Sequence, residues 1–179
     1  MKETHILTFS VREYLFSLAL DQVKEVVHMA ELYKPPGTPS FIEGFLNVEN
    51  SAIPVLSLSK LLFSTPPLKH TYSPLIVLEA TGPSPSSPTP HPWAVLVDKV
   101  MDIKNLPPEN LLPVNEELVF SNCVTAVAEI EGQKVYLLAP GQILLRQEEE
   151  RITEFLHLAQ KRIDKTKTTS SRKQKKQHE

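Results

Sequence analysis

Proline placement constrains this chain more than any other feature. Its 179 residues hold 16 prolines against 5 glycines. Most prolines fall between short apolar runs, where a fixed φ and a missing N–H donor punctuate the chain. Those runs are rich in Val, Ile and Leu. The pattern favours an all-β fold over a helical bundle. At 41% hydrophobic the chain can bury a core, and its length fits one domain or two small ones sharing that core.

The stretch Thr38–Leu58 shows the pattern best. Pro35-Pro36-Gly37-Thr38-Pro39 makes a rigid loop, Ser40 to Glu43 a turn of helix, and Gly44 its stop. Phe45–Val48 and Ala52–Leu56 are apolar runs flanking Glu49-Asn50-Ser51, and Asn50 suits the left-handed backbone of a tight turn. This reads as a cap feeding a β-hairpin. Pro54 cannot donate to a ladder, so it marks an edge or bulge in the second strand. Nothing here has catalytic character. It has the character of a docking surface.

The flanking sequence alternates in the same way. Ile6–Val11 and Tyr14–Leu20 form a hairpin, and Val23–Val27 is a strand. Leu58–Phe63 has helical spacing. Pro74–Ala80 is a nearly continuous apolar strand, and Trp93–Val97 returns after GPSPSSPTPHP, an exposed hairpin extension. Lys99–Leu106 is a further strand, with a proline-led turn at 107–111. Val124–Ile130 and Lys134–Ala139 close on Glu131-Gly132-Gln133. Trp93 reads as a half-buried strand residue. From Gly141 the period becomes helical, with Glu148-Glu149-Glu150 on the polar face. About ten strands in two groups suit two small barrels side by side.

The charge is uneven. From Lys161 onward eight Lys/Arg face Asp164 and Glu179, and the first 160 residues carry a net charge of −8. A basic tail on an acidic body is unlike a nucleic-acid-binding domain, whose basic patch lies on the fold. The single cysteine, Cys123, permits no internal disulfide and has no histidine at metal-ligand spacing. It reads as a structural thiol, since no basic cluster is near in sequence to lower its pKa. There is no nucleophile turn, P-loop or dinucleotide fingerprint. No apolar run approaches the ~20 residues of a membrane span. The expectation is a soluble protein of a reducing compartment, with no cofactor, no metal and no membrane insertion.

Together the blocks resemble the CheW-like domain, the coupling fold of bacterial chemotaxis. V-x-E-V is matched by Val23, Glu25 and Val26. P-x-F-I-x-G-x-x-N is matched by Pro39, Phe41, Ile42, Gly44 and Asn47, and I-P-V-x-x-L by Ile53, Pro54, Val55 and Leu58. Val95–Asp98 with Val100, Leu106–Leu112 and Val135–Leu145 match the later strands and caps in order. The resemblance implies two five-stranded β-barrels sharing a core, with short helical caps and a C-terminal helix. It covers residues 4–145; beyond it the apolar period predicts an amphipathic helix at 146–163, and 164–179, too polar to bury a core, is expected to be a disordered basic tail. The resemblance also implies a cytoplasmic, non-enzymatic adaptor of two-component signalling. Its implied partners are the regulatory domain of a CheA-type histidine kinase and the cytoplasmic tip of a methyl-accepting chemoreceptor, or a divergent sensor.

The partner-binding residues so implied are Val23, Glu25, Val27, Phe41, Ile42, Asn47, Glu49 and Asn50. Glu25 otherwise reads as a solvated strand residue, and Phe41 and Ile42 as core cap residues. One block departs from the family. N-L-R-G becomes Asn47-Val48-Glu49-Asn50, so a carboxylate stands where the family carries arginine. A charge swap on a docking face rejects the old partner and can favour a basic one. The alternative function is a β-barrel scaffold whose basic tail binds a polyanion, nucleic acid or anionic membrane.

Overall fold

The computed structural model describes residues 3–68, 73–79, 91–114 and 120–176. The expected hairpin extension at 82–92 lies outside these apart from His91 and Pro92. In chain order the strands are β1 (Thr4–Val11), β2 (Tyr14–Ala19), β3 (Val23–His28), β4 (Ile42–Val48), β5 (Ser51–Ser57), β6 (Pro74–Leu78), β7 (Trp93–Leu96), β8 (Lys99–Leu106), β9 (Leu111–Leu112), β10 (Val124–Ile130) and β11 (Gln133–Leu138). Among the described residues two α-helices accompany them, α1 (Leu58–Phe63) and α2 (Arg146–Lys176).

Turn chemistry fixes the hairpins. Glu49 and Asn50 have φ of 48° and 66°, and Glu131 and Gly132 have 51° and 77°. Two successive left-handed residues give a turn whose twist matches the flanking strands. Val48 therefore pairs with Ser51, and Ile130 with Gln133. Pro54 falls just before the β5–β7 ladder, which begins at Val55 opposite Ala94, so its missing N–H breaks no bond there.

The strands form two barrel-like sheets. One runs β8-β1-β2-β11-β10-β9 and the other β3-β6-β7-β5-β4. The first holds six strands rather than five because the two-residue β9 pairs with β10. Its members come from both ends of the chain, while β3 to β7 from the middle make the second.

A shared core lies between the sheets. Phe9, Phe16 and Leu18 of the first meet Leu56, Ile76, Trp93 and Val95 of the second. Alternate residues of the second sheet, Leu75, Val77, Ala94 and Leu96, fill its own interior. β6 and β7 are thus buried on both faces, which explains their unbroken apolar sequence. Trp93 is wholly buried, not half-buried as the sequence suggested, because its strand has no solvent face. Tyr14, Phe16, Phe63, Phe120 and Tyr136 interlock, with the ring centroids of Tyr14 and Phe120 5.0 Å apart in edge-to-face contact.

One polar contact repairs the first sheet and another links the two barrels. At the bulge between Leu7 and Phe9, the Thr8 hydroxyl donates to Asp102 O at 2.8 Å and accepts from Asp102 N–H at 3.1 Å. It supplies the ladder bonds that the bulge interrupts. Arg12, at the β1–β2 turn, joins the two barrels. Its backbone N–H donates to the Asp98 carboxylate at 2.6 Å, its Nε donates to Ser59 Oγ at 3.2 Å, and its guanidinium reaches Pro66 O.

Further expectations need correction. Ser40–Glu43 is not helical. Ile42 and Glu43 already belong to β4, and Gly44 serves a close approach of backbone instead of stopping a helix. Ile42 is wholly buried in the shared core, so it packs as its core-cap reading has it and presents no surface of its own to a partner. The tail expected to be disordered from 164 is helical through Lys176, while 177–179 lie outside the described residues. Lys, Arg and Gln are good helix formers, and extending a nucleated helix adds one bond for each residue fixed. The hydroxyls of Thr166, Thr168 and Thr169 donate to carbonyls one turn back. Glu149 is buried instead of lying on a polar face, because α2 begins against the shared core.

Candidate functional site

The β4–β5 hairpin and α2 meet at one surface. Ile152, Phe155 and Ala159 of α2 are buried in the shared core at helical spacing, which seats the helix. Two contacts then fix its middle. Gln160 Oε1 accepts from Ala52 N–H at 2.9 Å, and its Nε2 donates to Asn50 O at 3.0 Å. A primary carboxamide thereby satisfies the edge of β5 before β7 takes over as its neighbour. One residue pair further on, the Arg162 guanidinium lies 3.9 Å from the Tyr33 ring centroid. Arginine stacks favourably on an aromatic face, so this contact anchors α2 to the segment following β3.

Tyr33 itself closes the second barrel. It pairs antiparallel with Phe45, with N–H to O distances of 3.0 and 2.7 Å in the two directions. Leu32 and Tyr33 pass so close to Gly44 that a Cβ there would lie 2.8 Å from Leu32 Cβ and 3.0 Å from Tyr33 O. The result is an open groove of about 920 Å³. Leu32, Tyr33, Asn47 and Asn50 form one wall, and α2 from Ala159 to Ser171 forms the other.

The structure divides the sequence-derived partner residues into two sets. Asn47, Glu49 and Asn50 are exposed at the hairpin, and Asn47 and Asn50 line the groove. Val23, Glu25 and Val27 lie on β3, which pairs only with β6 at the far edge of the sheet. Three strands separate β3 from β4 in that sheet. Glu25 is exposed, with Val23 and Val27 half-buried and packed inward. Phe41 is half-buried against the shared core. Sequence reading missed Gln160, Arg162 and Tyr33. No local pattern marks a residue whose partner is more than a hundred positions away.

Beside the hairpin, β4 and α1 are joined by a buried charge. The Glu43 side chain is 2% exposed, and Lys60 Nζ lies 3.1 Å from its Oε1. Lys60 also donates to Ser40 O at 2.8 Å. Cys123 is half-buried, and its Sγ contacts Gln142 O at 3.4 Å. Burial pushes the thiol pKa up, and the Glu148 carboxylate adds to the rise. Its reaction with a disulfide reagent at pH 8 is therefore expected to be slower than that of the unfolded chain. Glu148→Gln should accelerate it. A folded-state rate equal to the unfolded rate would contradict this environment. Among the described residues no cluster of three or more His, Cys, Asp or Glu could hold a metal ion.

The CheW-like domain family matches residues 5–148, most of the chain. The chain belongs to the CheW-like domain family. A chemotaxis protein CheW of Thermotoga maritima is 29% identical over 62 residues, covering 35% of this chain and 41% of that protein. One from Treponema pallidum is 29% identical over 59 residues, covering 33% of this chain and 35% of that protein. These matches span less than half the length of either relative. The crystal structure of the scaffolding protein TtCheW from Thermoanaerobacter tengcongensis aligns with a TM-score of 0.68 at 23% identity. It covers 83% of this chain and 92% of that one, and it shows the shared fold. The CheW-like match ends within the first turn of α2, so nearly all of that helix lies outside it. Among the described residues no helix is long and apolar enough to cross a membrane.

Proposed function

We propose that the protein is a non-enzymatic, cytoplasmic adaptor of chemotaxis-type signal transduction. It couples a CheA-type histidine kinase, through that kinase's regulatory domain, to the cytoplasmic tip of a chemoreceptor or a related sensor. The observation that carries this reading is the CheW-like match over residues 5–148 on a fold of two barrel-like sheets with one core. Such an adaptor works by assembly. It binds kinase and receptor together, so that a change in receptor geometry biases the kinase between its states.

The exposed hairpin residues Asn47, Glu49 and Asn50 are the receptor-facing candidates, with Glu25 and its half-buried neighbours Val23 and Val27 contributing from β3. Phe41, half-buried against the shared core just before β4, accepts from Ser57 N–H through its carbonyl and so holds the end of the hairpin away from its turn. Glu49 occupies an exposed turn with no packing duty, so its identity is free to set partner choice.

Co-sedimentation with purified kinase regulatory domain and receptor-tip fragment tests the reading. Binding to at least one at micromolar concentration is expected, and no binding to either at tens of micromolar overturns it. Glu49→Arg should change receptor affinity several-fold while leaving kinase affinity unchanged, because a rim charge acts through complementarity with one partner. Equal receptor affinity for both forms would show that Glu49 is a spectator.

A further inference from the structure

The following rests on the adaptor reading and concerns which surface meets the receptor. α2 is thirty-one residues long, and most of it extends beyond the matched domain, yet it forms one wall of the groove beside the hairpin. We propose that this groove is a composite docking site and that its partner is an acidic α-helical protein surface.

Charge argues for the acidic character. The α2 wall presents Arg162, Thr166, Lys167, Ser170 and Ser171, which are cations and hydroxyl donors. From 164 to 176 the sequence places six Lys/Arg against Asp164 alone. The first 160 residues carry a net charge of −8. An acidic face is therefore attracted along α2, while Glu31 in the facing wall and Glu49 at the hairpin turn repel it, which fixes the partner's orientation as well as its place.

Shape argues for a helix. The wall follows α2 from Ala159 to Ser171. That is roughly 18 Å, the length of about three turns of a partner helix laid alongside. The wall is also held in advance. Gln160 and Arg162 fix α2 just before its distal turns, so docking costs little ordering of the helix. A nucleic acid fits less well. Its phosphates would meet the acidic body, and Arg162 already takes one face of Tyr33, the half-buried aromatic of the groove, in competition with a base.

The test uses the full chain carrying Lys167→Glu with Ser171→Glu. Both positions are exposed, so the fold should persist, and circular dichroism checks it. The probes are a soluble chemoreceptor-tip fragment and the kinase regulatory domain. Receptor affinity is expected to fall about tenfold or more, with kinase affinity unchanged. Added salt should weaken wild type more than variant. Unchanged receptor affinity overturns the composite site and leaves the adaptor reading intact. Tighter receptor binding overturns it in another direction, since α2 would then obstruct the surface. Loss of both partners would show that the substitutions act on the whole molecule, not on the groove. If wild type binds neither probe, the adaptor reading fails first. Duplex DNA or phosphatidylserine vesicles serve as controls, and a loss confined to them would assign the basic helix to a polyanion.

Discussion

Gly44→Ala is expected to destabilise the fold by about 3 kcal/mol or more, from backbone strain and overpacking together. Gly44 has φ of 153°, which side-chain-bearing residues rarely adopt. A methyl group there would meet Leu32 Cβ at 2.8 Å and the Tyr33 carbonyl at 3.0 Å. Backbone cannot swing aside as a long side chain can. The Tyr33–Phe45 pairing would have to open, and with it the closure of the second barrel. Chemical denaturation should show a lower midpoint, and hydrogen exchange should show Phe45 and Tyr33 losing protection first. A variant with wild-type midpoint would mean that the approach of residues 32–33 to β4 is not required. The same variant has a functional reading. Tyr33 carries Arg162, so an opened barrel should also release the distal half of α2.

Lys60→Met is expected to cost about 3 kcal/mol, the lower end of what removing one partner of a buried ion pair costs. The lower end applies because the Lys60 side chain is 24% exposed and partly screened, while Glu43 is 2% exposed. The substitution keeps the apolar stem and removes the ammonium that faces the carboxylate. It also removes the bond to Ser40 O. A double-mutant cycle isolates the pair. In a Glu43→Gln background the loss should shrink to under about 1 kcal/mol, since a neutral carboxamide makes no demand for a cation. Equal losses in both backgrounds would show that the two side chains do not interact. The pair joins β4 to α1, so its loss should loosen the cap beside the β4–β5 hairpin.

Most strands were legible in the sequence because alternation and turn residues are local. The hairpin at Glu49-Asn50 needs only two residues that tolerate left-handed backbone, and β8 needs only its own alternation. The first failures came where the cause was distant. Gly44 was legible as a break, but its reason is the passage of Leu32 and Tyr33. Trp93 looked half-buried because a sequence does not state that its strand is covered on both faces. Arg12 falls between two legible strands and belongs to no motif, yet it bonds to Asp98, Ser59 and Pro66 across the two barrels. The helix was legible as far as its apolar stripe ran. Its distal turns carry no stripe, and only intrinsic propensity and continuity with the seated part extend it. Of the candidate site, the hairpin residues were visible through their family spacing. The α2 wall was not, because Gln160 and Arg162 belong to no motif.

The origin of the first sheet has a consequence for how the chain is made. β1 pairs with β2 and β8, and β2 with β11, so the opening hairpin cannot finish its sheet until most of the chain has emerged. The sheet built from β3 to β7 closes on itself and can form while the ribosome is still reading beyond it. During that interval the outer edges of β1 and β2 are bare, although Phe9 and Phe16 can already pack on β5 to β7. Distant pairings form slowly, and open strand edges recruit other chains. This topology therefore leaves the first hairpin with open strand edges until β8 and β11 arrive to cover them.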